Sequence, residues 1–228
     1  GLPILEMIDN ESSATQAIIL SPTRELAIQI AKSIEGFSQN IENLKVLAVY
    51  GGASIDDQIR SLGKGLQIVV GTPGTTVDLI KRKRLQLENI QWLVLDEADE
   101  MLNMGFKEEL DQILEVTPKS KQTLLFSATF PKEVEAIARN YMQNPMEISA
   151  GLKNIGAEDV SHEYYMVSDR NRYNALKRIA DLNPNIYCIV FCRTRRETQD
   201  VADNLINDGY NADSLHGDLS QAQRDIVM

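Results

Sequence analysis

Only two cysteines occur among the 228 residues, Cys188 and Cys192. Four positions apart on a strand, they share a face but lie roughly 13 Å from each other, too far for a disulfide. A lone C-x-x-x-C with no further cysteine is also poor spacing for zinc. Both are therefore expected as core thiols of a reducing compartment. Aromatic residues are equally sparse, 6% with a single Trp, so any core has to be aliphatic. The longest apolar run, Ile186 to Cys192, is too short to cross a bilayer. No basic and apolar leader opens the chain, which reads as soluble, cytoplasmic and without a membrane partner. An excess of positive charge is missing too, with 23 Lys and Arg against 33 Asp and Glu and a net charge of −10. That balance excludes an indiscriminate polyanion binder, although a local basic face can still bind on an acidic body.

What is present is the balance of a globular protein, 43% hydrophobic and 25% charged, at a length that suits two lobes. Short aliphatic runs alternate with amphipathic stretches. Strands are expected at 16–20, 45–50, 67–70, 92–95, 123–126 and 146–148, then at 163–167, 187–191 and 212–215. Several are β-branched or Leu-rich without polar alternation, as in parallel strands covered on both faces. Ser21-Pro22 and Thr72-Pro73 each set a capping hydroxyl before a Pro suited to the first helical turn. Thr194-x-x-Glu197 and Ser220-x-x-Gln223 read as capping boxes. After Pro131, Val134, Ile137, Ala138 and Tyr141 form one apolar stripe. The alternation implies an α/β, doubly wound architecture with mainly parallel sheets. The best boundary lies at 150–159, separating a unit over 1–149 from one over 160–228. Both ends read as cut through structure, the first within a periodic apolar stretch and the second inside a helix that Ser220 caps.

Asp96-Glu97-Ala98-Asp99 follows the buried strand 92–95, where open α/β sheets bind ligands. Carboxylates gathered there suit Mg²⁺ with its waters, and a neighbour could orient or deprotonate an attacking water. An acidic helix N-terminus that complements the dipole explains the tetrapeptide equally well. Ser127-Ala128-Thr129, taken alone, reads as a helix cap before Pro131. Pro22-Thr23-Arg24 opens a helix after a strand, so free amides and a guanidinium make a phosphate-binding corner. Thr72-Pro73-Gly74 repeats that corner, and Gly51-Gly52 permits close backbone approach or simply a turn. Further on, Arg193-Thr194 ends a strand and begins a helix, and Gly217-Asp218 with Gln221-x-x-Arg224 forms another polar corner. His216 reads as a structural histidine, and the basic run Lys81–Arg84 as a solvated helix end.

Weak singly, these signals are specific in their order. PTRELA, GG, TPG, DEAD and SAT, followed by VFCRT and HGDLSQ with QxxR, resemble the DEAD-box ATP-dependent RNA helicases of bacterial type along the whole chain. The resemblance implies two RecA-like lobes that use ATP and Mg²⁺ to separate short RNA duplexes. Asp96 would hold Mg²⁺ through water, Glu97 would activate the attacking water, and Asp99, Ser127 and Thr129 would couple nucleotide state to closure. Pro22, Thr23, Arg24, Gly51, Gly52, Thr72, Pro73 and Gly74 would line RNA on the first lobe. Arg193, Thr194, Gly217, Asp218, Gln221 and Arg224 would do so on the second. Contacts of that kind go to phosphate and sugar, so binding would be independent of sequence.

The departures are equally specific. No G-x-x-x-x-G-K-[ST] loop occurs; the only Gly-Lys pair is Gly63-Lys64, followed by Gly65 and with Gln58 in place of the first glycine. In the family that loop stands on a central strand of the first lobe, and late motifs supply an ATP-contacting Asp and arginine fingers; both sets lie outside this sequence. Thr75 stands where the family usually has Arg, and Phe130 where it has Met. Two expectations follow: an internal segment of an RNA helicase, or a catalytically dead RNA-binding or interaction module. By itself the chain is expected to hydrolyse no ATP, and a lobe short of a strand is expected to expose apolar edges.

Overall fold

Apolar side chains on both faces of a strand demand cover on both faces, and the computed structural model supplies it. It describes residues 1–150 and 160–227. The chain divides into two units, Gly1–Ile155 and Gly156–Met228. In the first, β1 (Ala17–Leu20), β2 (Val46–Val49), β3 (Ile68–Gly71), β4 (Trp92–Leu95) and β5 (Gln122–Leu125) form one five-stranded sheet in the order β2-β3-β1-β4-β5. Every pairing is parallel and in step, so Val49, Gly71, Leu20, Leu95 and Leu125 end their strands in a single row.

The period of two along each strand sorts its residues between two cores. Ile18, Leu20, Leu93 and Leu95 face one side, where α4 (Pro73–Lys81), α5 (Ala98–Asn103), α6 (Lys107–Val116) and α7 (Lys132–Tyr141) add Leu79, Met101, Leu110, Ile113 and Val134. Partly buried Ile55 and Ile59 bring α3 (Ile55–Leu62) to the same side. Ala17, Ile19, Ile68 and Val70 face the other, against Ile4 and Leu5 of α1 (Leu2–Met7) and Ala27, Ala31 and Ile34 of α2 (Arg24–Phe37). The helix after β1 thus covers one face and the helix after β4 the opposite face, although the two strands are neighbours. Crevices at such switch points, beyond the carboxyl ends of the strands, are where open α/β sheets bind ligands. Because the five strands pair consecutively, a further strand can join only at an edge, β2 or β5.

The second unit carries α8 (Arg172–Leu182), α9 (Arg195–Asn207) and α10 (Gln221–Val227), and among its described residues no strand forms. This corrects the strands expected at 163–167, 187–191 and 212–215, and with them the one at 146–148. An extended run becomes a strand only by joining a hydrogen-bonded ladder, and among the described residues none of these runs enters one. Tyr187 and Phe191 are fully or almost fully exposed, as are Met146 and Ile148. Cys188 is exposed and Cys192 half-buried, so neither is the core thiol expected of it. The boundary segment expected at 150–159 lies, Ala150 apart, outside the described residues.

Candidate RNA and nucleotide interface

Parallel strands in register deliver all their following loops to one edge. The residues after β1, β2, β3, β4 and β5 are Ser21–Thr23, Tyr50–Gly52, Thr72, Asp96-Glu97 and Phe126–Thr129. The first-unit residues of the PTRELA, GG, TPG, DEAD and SAT motifs therefore follow the strand ends at the carboxyl edge.

The tightest constellation joins the loops after β4 and β5. Asp99 Oδ2 accepts from the amide of Thr129 at 2.9 Å and from its hydroxyl at 2.6 Å. Ser127 Oγ accepts from the Asp99 amide at 3.2 Å and donates to the Thr129 carbonyl at 2.6 Å. The Ala98 amide adds a bond to the Phe126 carbonyl, 3.0 Å. Burial pushes the Asp99 carboxyl up, but the Thr129 and Ser127 hydroxyls, with the Thr129 amide, outweigh it and hold the group below its ordinary value. So Ser127 and Thr129 are not a simple helix cap; they are the partners of Asp99.

Asp96 follows β4 half-buried, and its Oδ1 accepts from the Glu97 amide at 3.2 Å. Glu97 is exposed and holds left-handed backbone, φ 53 and ψ 52, at the start of α5. That region is sparse for a non-glycine residue and clusters at functional turns. The kink turns the chain abruptly from strand to helix and leaves the Glu97 carboxylate in solvent beside Asp96. Among the described residues no three His, Cys, Asp or Glu side chains gather to cage a metal.

Around β1 and β2, the cap of α2 is Thr23 rather than Ser21: Thr23 Oγ1 accepts from the Leu26 amide at 3.2 Å. Ser21 and Pro22 are buried beneath it, and Ser21 Oγ turns to the Thr23 carbonyl, 3.4 Å. Pro73 does open α4, but the hydroxyl of its N-cap Thr72 makes no cap bond and lies 3.4 Å from Thr75 Oγ1. Pro22 and Pro73 are both buried and shape the turns, while Thr23, Arg24, Gly51, Gly52, Thr72 and Gly74 reach the surface. The Arg24 guanidinium stands over the Tyr50 ring, 4.9 Å from its centre. Gly52 has φ +83, open to glycine at no steric cost, and a Cβ there would lie 3.6 Å from Arg24 Nη1.

In the second unit, the capping box at Ser220 forms in full, whereas at Thr194 only the cap bond forms, because the Glu197 carboxylate accepts from the Arg193 amide at 3.1 Å instead. Thr194 Oγ1 accepts from the Glu197 amide at 3.1 Å and Ser220 Oγ from the Gln223 amide at 3.4 Å. Gln223 Oε1 returns a bond to the Ser220 amide, 2.8 Å. Arg193 pairs with Glu197 at 3.3 Å, which raises the guanidinium and lowers the carboxyl from their ordinary values. Arg193, Thr194, Arg196, Glu197 and Asp200 line an open depression of about 470 Å³. Arg195 reaches Asp218 at 2.5 Å and lies across Gly217, where a Cβ would meet its Nε at 3.2 Å. Arg224 donates to the Gly217 carbonyl at 3.3 Å from the same α10 that begins with Gln221. His216 Nε2 lies 3.0 Å from Gln199 Oε1, which also accepts from Ser214 Oγ at 2.9 Å. Sequence reasoning gave no structural role to Tyr50, Gln58 or Gln199 and did not foresee that Asp218 pairs with Arg195. Only Gln58 and Gln199 lack any signal, since a side-chain amide that will serve a distant backbone looks like any surface Gln.

The model of the DEAD/DEAH box helicase family matches residues 1–137, more than half of the chain. The chain belongs to that family. This helicase chain is 41% identical over all 228 residues to the DEAD-box ATP-dependent RNA helicase CshA of Bacillus subtilis, covering 46% of that protein. To the ATP-dependent RNA helicase CshA of Listeria monocytogenes it is 43% identical, covering 44%. It thus spans less than half the length of these curated relatives. Among solved structures, a DEAD box protein from Methanococcus jannaschii matches 99% of the helicase chain at 43% identity and TM-score 0.60, over 60% of its own length. A variant of Saccharomyces cerevisiae Dbp5 bound to RNA and ADP–beryllium fluoride matches 99% at 28% identity and TM-score 0.85, over 57%. The α/β fold with an all-parallel five-stranded sheet is that of its DEAD-box, RecA-like neighbours. No helix of the described residues is long and apolar enough to cross a membrane.

Proposed function

We propose that this chain supplies the catalytic carboxylates and part of the RNA-binding surface of an ATP-dependent RNA helicase, with 1–149 in a first RecA-like lobe and 160–228 in a second. The observation that carries the reading is the bonding of Asp99 to Ser127 and Thr129. It ties the acidic loop to the loop of the next strand, so a change at one displaces the other. Asp96 would hold Mg²⁺ through water, and the bound ion would neutralise charge on the phosphoryl oxygens. A single half-buried carboxylate suits an ion that keeps its waters and completes its shell with phosphate. The exposed Glu97 carboxylate is free to orient the attacking water and accept its proton. Thr23, Arg24, Gly51, Gly52, Thr72 and Gly74 would take the phosphates and sugars of one RNA strand, and Arg193, Thr194, Gly217, Asp218, Gln221 and Arg224 would do so from the second unit. The buried Pro22 and Pro73 would shape the first set.

The test is RNA-stimulated ATP hydrolysis by the chain extended at both ends in its own reading frame, beside its Glu97→Gln variant. Turnover that collapses in the variant supports the reading, and a variant that turns over normally sinks it. The missing G-x-x-x-x-G-K-[ST] loop favours a second reading for these 228 residues alone, that they bind RNA without hydrolysing ATP. ATP turnover by the unextended chain would overturn that reading.

A further inference from the structure

Most surface arginines in an acidic protein spend their charge on a carboxylate. Arg60, Arg82, Arg193 and Arg195 do so here, each against an Asp or Glu. Arg24 stands instead against the Tyr50 ring, and its Nε is buried without a hydrogen-bond partner among the described residues. An aromatic face attracts a guanidinium without cancelling its charge. The ring in turn needs a fixed backbone, and Tyr50 lies one residue beyond β2, an edge strand, where the ladder has ended. Gln58 of α3 supplies what the ladder no longer does. Its Oε1 accepts from the Tyr50 amide and its Nε2 donates to the Tyr50 carbonyl, both at 3.1 Å. Gln58 is buried, so this clamp is shielded from water. Gly52 lies beside the guanidinium too: a Cβ there would come to 3.6 Å of Arg24 Nη1.

We propose that Tyr50 is a positioning residue for RNA: clamped by Gln58, its ring holds Arg24 at the carboxyl edge as an oriented, uncancelled cation for a backbone phosphate. This rests on the RNA-binding reading above. The experiment measures binding of a fluorescent single-stranded uridine decamer to the 228-residue chain over a range of KCl concentrations. Tyr50→Leu is expected to weaken binding by about three- to tenfold, and Tyr50→Phe, which keeps the face, to leave it unchanged. In an Arg24→Met background the effect of Tyr50→Leu is expected to vanish, because both act through one contact. Arg24→Met is also expected to lower the slope of log K against log salt by about 0.7, one phosphate contact with a single strand. Equal losses from Tyr50→Leu in both backgrounds would mean a merely structural ring and overturn the proposal, as would no loss at all. If Tyr50→Leu unfolds, Gln58→Met takes its place, scored by affinity and by the Arg24 Hε resonance that the ring shifts; an unmoved resonance also overturns it. Failure of the unaltered chain to bind the decamer would sink the RNA reading itself, an outcome distinct from binding that ignores Tyr50.

Discussion

Asp99 and Glu97 show how two carboxylates in one loop are put to different uses by their backbone. Asp99 is held in place by the amide and hydroxyl of Thr129, which donate to its carboxylate, and by Ser127 Oγ on its amide, and its carboxyl is held below the ordinary 3.8. A carboxyl lowered in the folded state stabilises it above the unfolded pKa, and that contribution is lost as pH falls through the folded value. Asp99→Asn is therefore expected to destabilise at pH 6, with the gap to wild type closing only below about pH 3.8, as read by urea unfolding across pH. A gap that stays constant down to pH 2 would show that charge plays no part. Glu97 holds a strained backbone, and its side chain stands exposed. Relieving its left-handed backbone with Glu97→Gly is expected to leave stability unchanged or raise it by up to about 1 kcal/mol. Glu97→Val, β-branched at the same φ, is expected to cost about 1 kcal/mol or more. Equal melting of the two variants would refute the strain.

At the scale of elements, the close row at the ends of β2 and β3 governs how the loops are presented. A Cβ on Gly71 would meet Thr76 Oγ1 at 2.5 Å and Val49 Cγ2 at 2.7 Å, and Thr76 is buried and bonded to the Thr72 carbonyl at 2.9 Å. Gly71→Ala is thus expected to destabilise the first unit by about 1–3 kcal/mol, measured by denaturant unfolding. A neutral result would mean that the α4 turn yields. The five strands of this sheet were legible to within a residue at each end, because Ile68, Val69 and Val70, or Leu93, Val94 and Leu95, can satisfy both faces only inside a sheet. The run Tyr187–Phe191 is as apolar, yet its strand did not follow, since pairing depends on a partner that composition does not encode. Caps were half legible. Thr194 and Ser220 stand one residue before their helices, as their motifs predict, whereas Ser21-Pro22 placed α2 two residues early because Thr23 outcompeted Ser21 for the free amide.

For the whole molecule, motif order carried what charge and pattern could not. A net charge of −10 argues against indiscriminate polyanion binding, while the edge shared by Thr23, Arg24, Gly52 and Thr72 suits the proposed RNA contact, a local arrangement that net charge does not reveal. Cations are outnumbered by carboxylates; Arg24 stands over a ring with no ion pair among the described residues, while Arg193 and Arg195 sit in ion pairs that a phosphate would have to exchange. The Asp99–Thr129 bonds were likewise beyond pattern reasoning, since thirty residues separate partners that only the pairing of β4 with β5 brings together.

The sole tryptophan belongs to this picture. Trp92 opens β4, half-buried and packed among the side chains of the α1–α2 face, with Ala17 and Gln122 as its neighbours in the sheet. Fluorescence excited at the red edge of indole absorption therefore listens to the first unit alone, while far-ultraviolet dichroism hears the helices of both. The protein carries a built-in spectroscopic label that tells apart the melting of its two halves without any chemical tag.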